Sequence, residues 1–425
     1  MRAKQLLLSA LALGTLSGVL AVGCQSYDFE RVEPLSIAQT TVEETITVRS
    51  RKPNIMMLVD TSGSMTDPVD TSDPDCQVVV GDEVDTCGSQ VPCNTAVCPT
   101  RWTELQAAVP TFLASAGPYA RFGLTTYPET GGQTSGTAAC RPSTQASVRK
   151  SLPQAEDDAS LLAHANDINA IIQGIPNFGT GQPAGGTPTS LSLRFVGGLE
   201  GLQAEDRTDF VILLTDGLPN CNPDNVNDGT TAACKCTQTG TAACTGTFTR
   251  LGCLDQDASV TAVRELAARD ITTIVIGFGA ETASGNGPAV LDAMARAGGF
   301  ARTCEAGQDS CGPNDPCDPV SRTCSRSFYQ AGNQEELAQA LEAISKKLLV
   351  QEPCLIKLDP SQLPTEDNLI VVYLDGERAA PGDSTWDPNV KANGGVLFTG
   401  AACQRIESST PDAPVNIEIR AIRQR

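Results

Sequence analysis

Histidine is almost missing from this sequence: there is one, His164, among 425 residues. A nucleophilic serine needs a base to take its proton, and His164 sits in LLAHANDIN, whose spacing reads as a helix face. A single histidine also excludes an H-E-x-x-H metal centre, and no G-x-S-x-G elbow, G-x-G-x-x-G loop or Walker loop is present. Aromatic residues are scarce at 4%, so a core must rest on Ala, Val, Leu and Ile. Positive charge is short as well. Lys and Arg number 30 against 50 Asp and Glu, giving a net charge of -20 and a pI near 4.4. That balance argues against nucleic acid as a partner and against electrostatic docking on anionic lipid. It suits divalent cations and a self-repelling surface. After the first 23 residues no stretch is long and apolar enough to span a bilayer.

What is present begins with an export pattern. Arg2 and Lys4 precede an apolar run from Leu6 to Val22, and the small residues Ala21, Val22 and Gly23 end at Cys24. This resembles a bacterial lipobox, which implies cleavage after residue 23 and a lipid on Cys24. Gln25 behind it resembles outer-membrane sorting. Residues 1–23 are therefore expected to be a signal peptide. Residues 24–50, polar and poor in large apolar groups, should form a lipid-anchored tether holding the chain at the outer membrane or cell surface. Of 17 cysteines, removing Cys24 leaves an even number, and an exported chain pairs such cysteines. Zinc at Cys234-x-Cys236 is the competing reading. The acidic stretches NPDNVNDG and Asp67, Asp70, Asp73 and Asp75 could offer oxygens to calcium, but neither has EF-hand spacing.

From residue 51 strands and helices alternate. Strands are expected at 54–59, 121–127, 209–215 and 271–278, with a short edge strand at 147–152. Helical spacing recurs at 102–113, 161–175, 189–202, 259–269, 291–297 and 334–349. Near-continuous apolar strands such as DFVILLT and ITTIVIGF imply burial on both faces, hence an α/β fold: a doubly wound, mostly parallel sheet with helices on both sides. Such folds place their site at the carboxyl ends of the strands, where Asp60 and Asp216 fall. Three cysteine-rich inserts, 66–99, 220–254 and 303–327, interrupt the pattern, and the third splits one strand between GGFAR and SFYQA. Inserts one and three hold four cysteines each and can close internally. Insert two holds five, and Cys140 stands alone, so Cys140 should pair with an insert-two cysteine. Residues 351–425 read as a small all-β domain clipped by Cys354 and Cys403.

Three separated pieces share the carboxyl edge of the sheet. MMLVDTSGSM carries Asp60, Ser62 and Ser64; GGTPTSL carries Thr187; LLTDGLPN carries Asp216. Hard cations such as magnesium take oxygen ligands and keep some water. Neutral hydroxyls leave the ion most of its charge, while carboxylates act from behind. These residues resemble, in order, the metal-ion-dependent adhesion site of von Willebrand factor type A domains, and the resemblance covers 51–350. It implies Mg2+ (or Mn2+ or Ca2+) held by Ser62, Ser64 and Thr187, with Asp60 and Asp216 acting largely through water or hydrogen bonds. It also implies a partner protein that presents an acidic residue to the ion. The expected function is thus metal-dependent adhesion by an envelope lipoprotein, not catalysis. The alternatives are a structural lipoprotein whose metal only stiffens loops and, behind it, a hydrolase using the exposed serines.

Overall fold

The computed structural model describes residues 41–48, 52–88, 90–129, 136–203, 207–230, 232–237, 244–246, 248–300, 302–304, 307–312, 315–349, 354–358, 363–364, 366–407 and 415–424. The segment read as an export signal and Cys24 lie outside the described residues, as does most of the segment read as a tether. The elements run β1 (Thr41–Val48), β2 (Asn54–Asp60), β3 (Gln77–Val80), β4 (Glu83–Thr86), α1 (Arg101–Ala116), β5 (Arg121–Tyr127), β6 (Val148–Lys150), α2 (Asp158–Gln173), α3 (Thr189–Gly197) and β7 (Asp209–Thr215). They continue with α4 (Phe248–Leu251), α5 (Gln256–Ala267), β8 (Ile271–Phe278), α6 (Ala280–Ala283), α7 (Gly287–Ala297), β9 (Tyr329–Ala331) and α8 (Gln334–Leu349). The tail holds β10 (Leu355–Lys357), β11 (Ile370–Leu374), β12 (Glu377–Ala379), α9 (Val390–Asn393), β13 (Gly395–Leu397), α10 (Gly400–Glu407) and β14 (Ile417–Gln424).

Six strands form one sheet in the order β6-β5-β2-β7-β8-β9, parallel except for the antiparallel edge strand β6. The chain starts at the centre, winds one way to β5 and β6, then returns past β2 to β7, β8 and β9. Strand β2 is therefore the switch point, and its carboxyl end opens between loops that diverge in opposite directions. Burial on both faces explains the continuous apolar strands. In β2, Ile55, Met57 and Val59 pack with Trp102 and Val109 of α1, Ile168 and Ile172 of α2, and Leu341 of α8. Met56 and Leu58, the intervening residues, join the opposite core with Leu193 of α3, Leu266 of α5 and Leu291 of α7. Each such buried side chain contributes about 1.5–3 kcal/mol. Aliphatic residues make up most of both cores, but the scarce aromatics are concentrated there too: Trp102, Phe122 and Phe278 are buried on one face and Tyr127 and Phe328 on the other, so the expectation of a core resting on Ala, Val, Leu and Ile holds only in part.

Local signals set the helix starts. Thr100 and Thr103 form a reciprocal capping box at the start of α1. Asp157 accepts the Ser160 N–H at the start of α2. Helix α3 is shorter than the expected 189–202: it ends at Gly197, and only a 3-10 turn, Glu200–Leu202, follows. The third insert does interrupt a sheet edge. Gly299 bridges Thr273 of β8, and after the insert Tyr329 takes up the pairing at Ile276.

The tail has a core of its own, with Ile356, Val372, Trp386, Val396, Phe398 and Ile419 around the Cys354–Cys403 disulfide. Two features differ from the expectation. Short helices, α9 and α10, accompany its strands. And part of the segment read as a tether is not free: β1 pairs antiparallel along its whole length with β14, at the edge of the four-stranded sheet β1-β14-β11-β12. The sequence TVEETITV is rich in β-branched residues, which suit a pleated strand. Its partner strand lies at the far end of the chain, so nothing local shows the pairing.

Candidate metal centre

Asp60 is the last residue of β2, and Asp216 follows β7 directly, so adjacent parallel strands deliver both carboxylates to the switch point. Both are fully buried. Asp60 spends its oxygens on the protein: Oδ1 accepts the Ser62 N–H at 2.8 Å and Oδ2 accepts the Thr215 hydroxyl at 2.7 Å. It thereby shapes the turn that presents Ser62 and Ser64 and is positioned as an orienting group. Ser62 Oγ and Ser64 Oγ lie 3.2 Å apart, and Ser64 Oγ donates to Asp216 Oδ1 at 3.1 Å.

Thr187 comes from the segment before α3 and is held by Asn220: its N–H donates to Asn220 Oδ1 at 2.7 Å, and its carbonyl accepts the Asn220 N–H at 2.9 Å. The neighbouring backbone is laced to the β2 loop, with Ala184 N–H to the Thr61 carbonyl at 2.8 Å and Gly63 N–H to the Gly185 carbonyl at 2.9 Å. Gly217 lies between the three pieces of the site. A Cβ there would stand 3.7 Å from Ser64 Oγ, 3.9 Å from Thr187 Oγ1 and 3.9 Å from Glu281 Oε2. All five residues singled out from the sequence are therefore brought together.

The donor set fits a hard divalent cation. Every atom offered is oxygen, and neighbouring ligand oxygens around a magnesium-sized ion are about 3.0 Å apart, given metal–oxygen distances of about 2.1 Å. The serine and aspartate oxygens already have that spacing. The electrostatics agree. Burial, and then the charge of Asp216, push Asp60 up to about 7 against the hydrogen bonds from Ser62 and Thr215. Two buried carboxylates in one site call for positive charge.

Part of that charge is built in, and sequence reasoning missed it. Arg101, the first residue of α1, is buried and donates from Nη1 to Asp216 Oδ2 at 2.7 Å and to the Ser64 carbonyl at 3.3 Å. Its Nη2 reaches Glu281 Oε1 at 3.4 Å. Burial disfavours its charge, but Asp216, Glu281 and Asp67 hold the guanidinium above its ordinary range. Asp67 is pushed up to about 6 by burial, opposed by Arg101. Thr215 and Asn220 were also missed as site residues, although both flank the quoted aspartate in TDGLPN.

Every cysteine among the described residues is in a disulfide, so the zinc reading at Cys234 and Cys236 is replaced by Cys234–Cys253 and Cys236–Cys244. Cys140 pairs with Cys221, as expected from parity. The bridge lies against the site: a Cβ on Gly186, the residue before Thr187, would be 2.5 Å from Cys221 Sγ and 3.5 Å from Cys140 Sγ. Inserts one and three close on themselves through Cys76–Cys98 with Cys87–Cys93, and Cys304–Cys317 with Cys311–Cys324.

No family model matches the chain, and no curated protein matches it. Solved structures do. The pilus adhesin SpaC from Lactobacillus rhamnosus GG is 13% identical over 91% of this chain and 42% of its own, with a TM-score of 0.39. The PilB minor pilin from Streptococcus sanguinis is 16% identical over 70% of this chain and 61% of its own, at 0.40. Manganese-loaded TRAP protein from Plasmodium vivax is 14% identical over 80% and 92%, at 0.34. The chain thus spans less than two thirds of the adhesin and the minor pilin. Identities and TM-scores at this level carry no argument about binding. The fold itself is, on its own topology, a doubly wound α/β sheet with β2 central and the five residues gathered at its switch point.

Proposed function

We propose that this chain is a binding protein held at the outer membrane or cell surface, and that Ser62, Ser64 and Thr187 hold a divalent cation that bridges to a carboxylate on a partner protein. The observation that carries this reading is the convergence of three neutral hydroxyls on two buried aspartates, one of which has both oxygens committed to the protein. When bound, magnesium, manganese or calcium supplies a positive centre with an open position for an acidic group. Asp60 and Thr215 hold the serine loop in place, and Asn220 holds Thr187.

The same geometry favours binding over catalysis. The serine hydroxyls face each other and Asp216, which is tied to Arg101, while the His164 ring is engaged with the Ser151 carbonyl at 3.0 Å. Disulfides in all three inserts and the tail fit an oxidising compartment, in keeping with export and a lipid on Cys24. The test is metal titration together with capture of envelope proteins, with and without chelator. Asp60→Ala and Ser62→Ala should lose metal affinity and partner capture while keeping the circular dichroism spectrum. A partner whose affinity ignores both chelator and Asp60→Ala overturns the metal bridge. A site that only stiffened loops would leave capture unchanged in these variants.

A further inference from the structure

A groove of about 570 Å³ runs from the metal-site loop along the carboxyl end of β5. Thr61, the residue between Asp60 and Ser62, forms one end, and Thr126, Pro128 and Ala184 form the floor. Two exposed arginines, Arg141 and Arg149, stand on its wall. In a chain of net charge -20 a site with two arginines is a local reversal of sign. Among the described residues neither guanidinium has a carboxylate or hydrogen-bond partner. The lining also holds one acid, Glu129, whose Oε2 accepts the Ser147 hydroxyl at 2.9 Å and also the Thr144 hydroxyl; counted against the two arginines, it leaves the lining a formal balance of one positive charge. Arg141 is also fixed relative to the metal site. It follows Cys140, whose disulfide to Cys221 packs on Gly186, and the Ala139 carbonyl accepts the Gly186 N–H at 2.8 Å.

We infer that this groove is a second recognition site, in which Arg141 and Arg149 take further carboxylates from the same acidic polypeptide segment whose first carboxylate meets the metal. The inference rests on the metal-bridged reading above and adds the partner's chemistry: a run of acidic residues rather than an isolated one. The physical reason is additive. A single carboxylate at an ion site is shared by many proteins, whereas a second acidic contact along the groove selects a segment and its direction. Arginines at a rim act on encounter rate and salt dependence as well as on affinity.

The probe is a short synthetic oligoglutamate, labelled for fluorescence anisotropy and titrated with the full chain in magnesium and in chelator. Oligoglutamine and a sulfated polysaccharide serve as comparators. Arg141→Glu/Arg149→Glu should weaken oligoglutamate binding roughly tenfold or more and flatten its salt dependence. Thermal stability should stay unchanged and magnesium affinity should not fall, because both side chains are exposed and outside the metal set and the added negative charge does not oppose a cation. If the double variant binds as wild type does, the groove plays no part, and the metal reading stands or falls on chelator alone. If binding falls with the arginines but ignores chelator, the groove is an acidic-segment site and the metal bridge fails. If oligoglutamate does not bind, or only the polysaccharide does, the inference is overturned.

Discussion

Replacing Arg101 by methionine tests the charge arrangement at the site most directly. The guanidinium lies 2.7 Å from Asp216 Oδ2, with side-chain exposures of 2% and 0%. At an effective dielectric near 20, that separation corresponds to about 6 kcal/mol of attraction. Desolvation cancels part of it, but removal of one partner leaves a buried, uncompensated carboxylate, which costs about 3–5 kcal/mol. At roughly 2 °C per kcal/mol for a domain of this size, Arg101→Met should lower the melting temperature in chelator by about 6–10 °C. Millimolar magnesium should then raise the variant's melting temperature by more than it raises that of wild type, because the ion supplies charge the arginine no longer gives. Arg101→Met/Asp216→Asn should recover much of the chelator loss, and the difference gives the coupling by a double-mutant cycle. Scanning calorimetry with and without chelator is the measurement. If the single variant in chelator melts with wild type, Arg101 does not compensate Asp216, and the charge argument is wrong.

Four further outcomes are expected. Gly186→Ala puts a Cβ 2.5 Å from Cys221 Sγ and 3.0 Å from Asn220 Oδ1, so it should cost about 1–3 kcal/mol in stability and weaken metal binding in calorimetric titration through the displaced Thr187. Cys140→Ser/Cys221→Ser releases a sequence separation of 81 residues. Loop entropy for a closure of that size gives about 4.5 kcal/mol, to be read from denaturant unfolding, and an unchanged midpoint refutes the clamp. Asp315→Ala strands Arg302, a buried pair at 2.5 Å, and should expose the third insert to limited proteolysis without altering metal affinity. Mass spectrometry of the mature amino terminus should find residue 24 first and its thiol lipidated; an unmodified Cys24 removes the anchor from the reading.

The doubly wound sheet was legible because β2, β7 and β8 are apolar on both faces and leave no alternation to misread. The site was legible because its residues sit at fixed places, each directly after a strand or before a helix. Arg101 was not. A cation 115 positions from Asp216 leaves no local pattern, and an arginine opening a helix looks like surface until folding buries it. Parity was enough for Cys140, since an odd cysteine needs a partner wherever the chain brings one. It could not choose among the five in insert two; the bridge to Cys221 follows from the packing around Gly186. Strand β1 escaped for the opposite reason. Its TVEETITV alternates, with Val42, Ile46 and Val48 on one face, but it lies in a polar stretch, and its register with β14 depends on the last strand of the chain.

The two outer strands of the six-stranded sheet, β6 and β9, are three residues each, whereas β2, β5 and β7 between them are seven and β8 is eight. A sheet joins another sheet through the unpaired N–H and C=O groups along its outer strands, and short borders offer few of them. Copies of this domain crowded side by side would therefore have little backbone with which to zip together. Pairing between copies through the borders of this sheet is disfavoured; the one long outer strand described, β1, belongs to the other sheet.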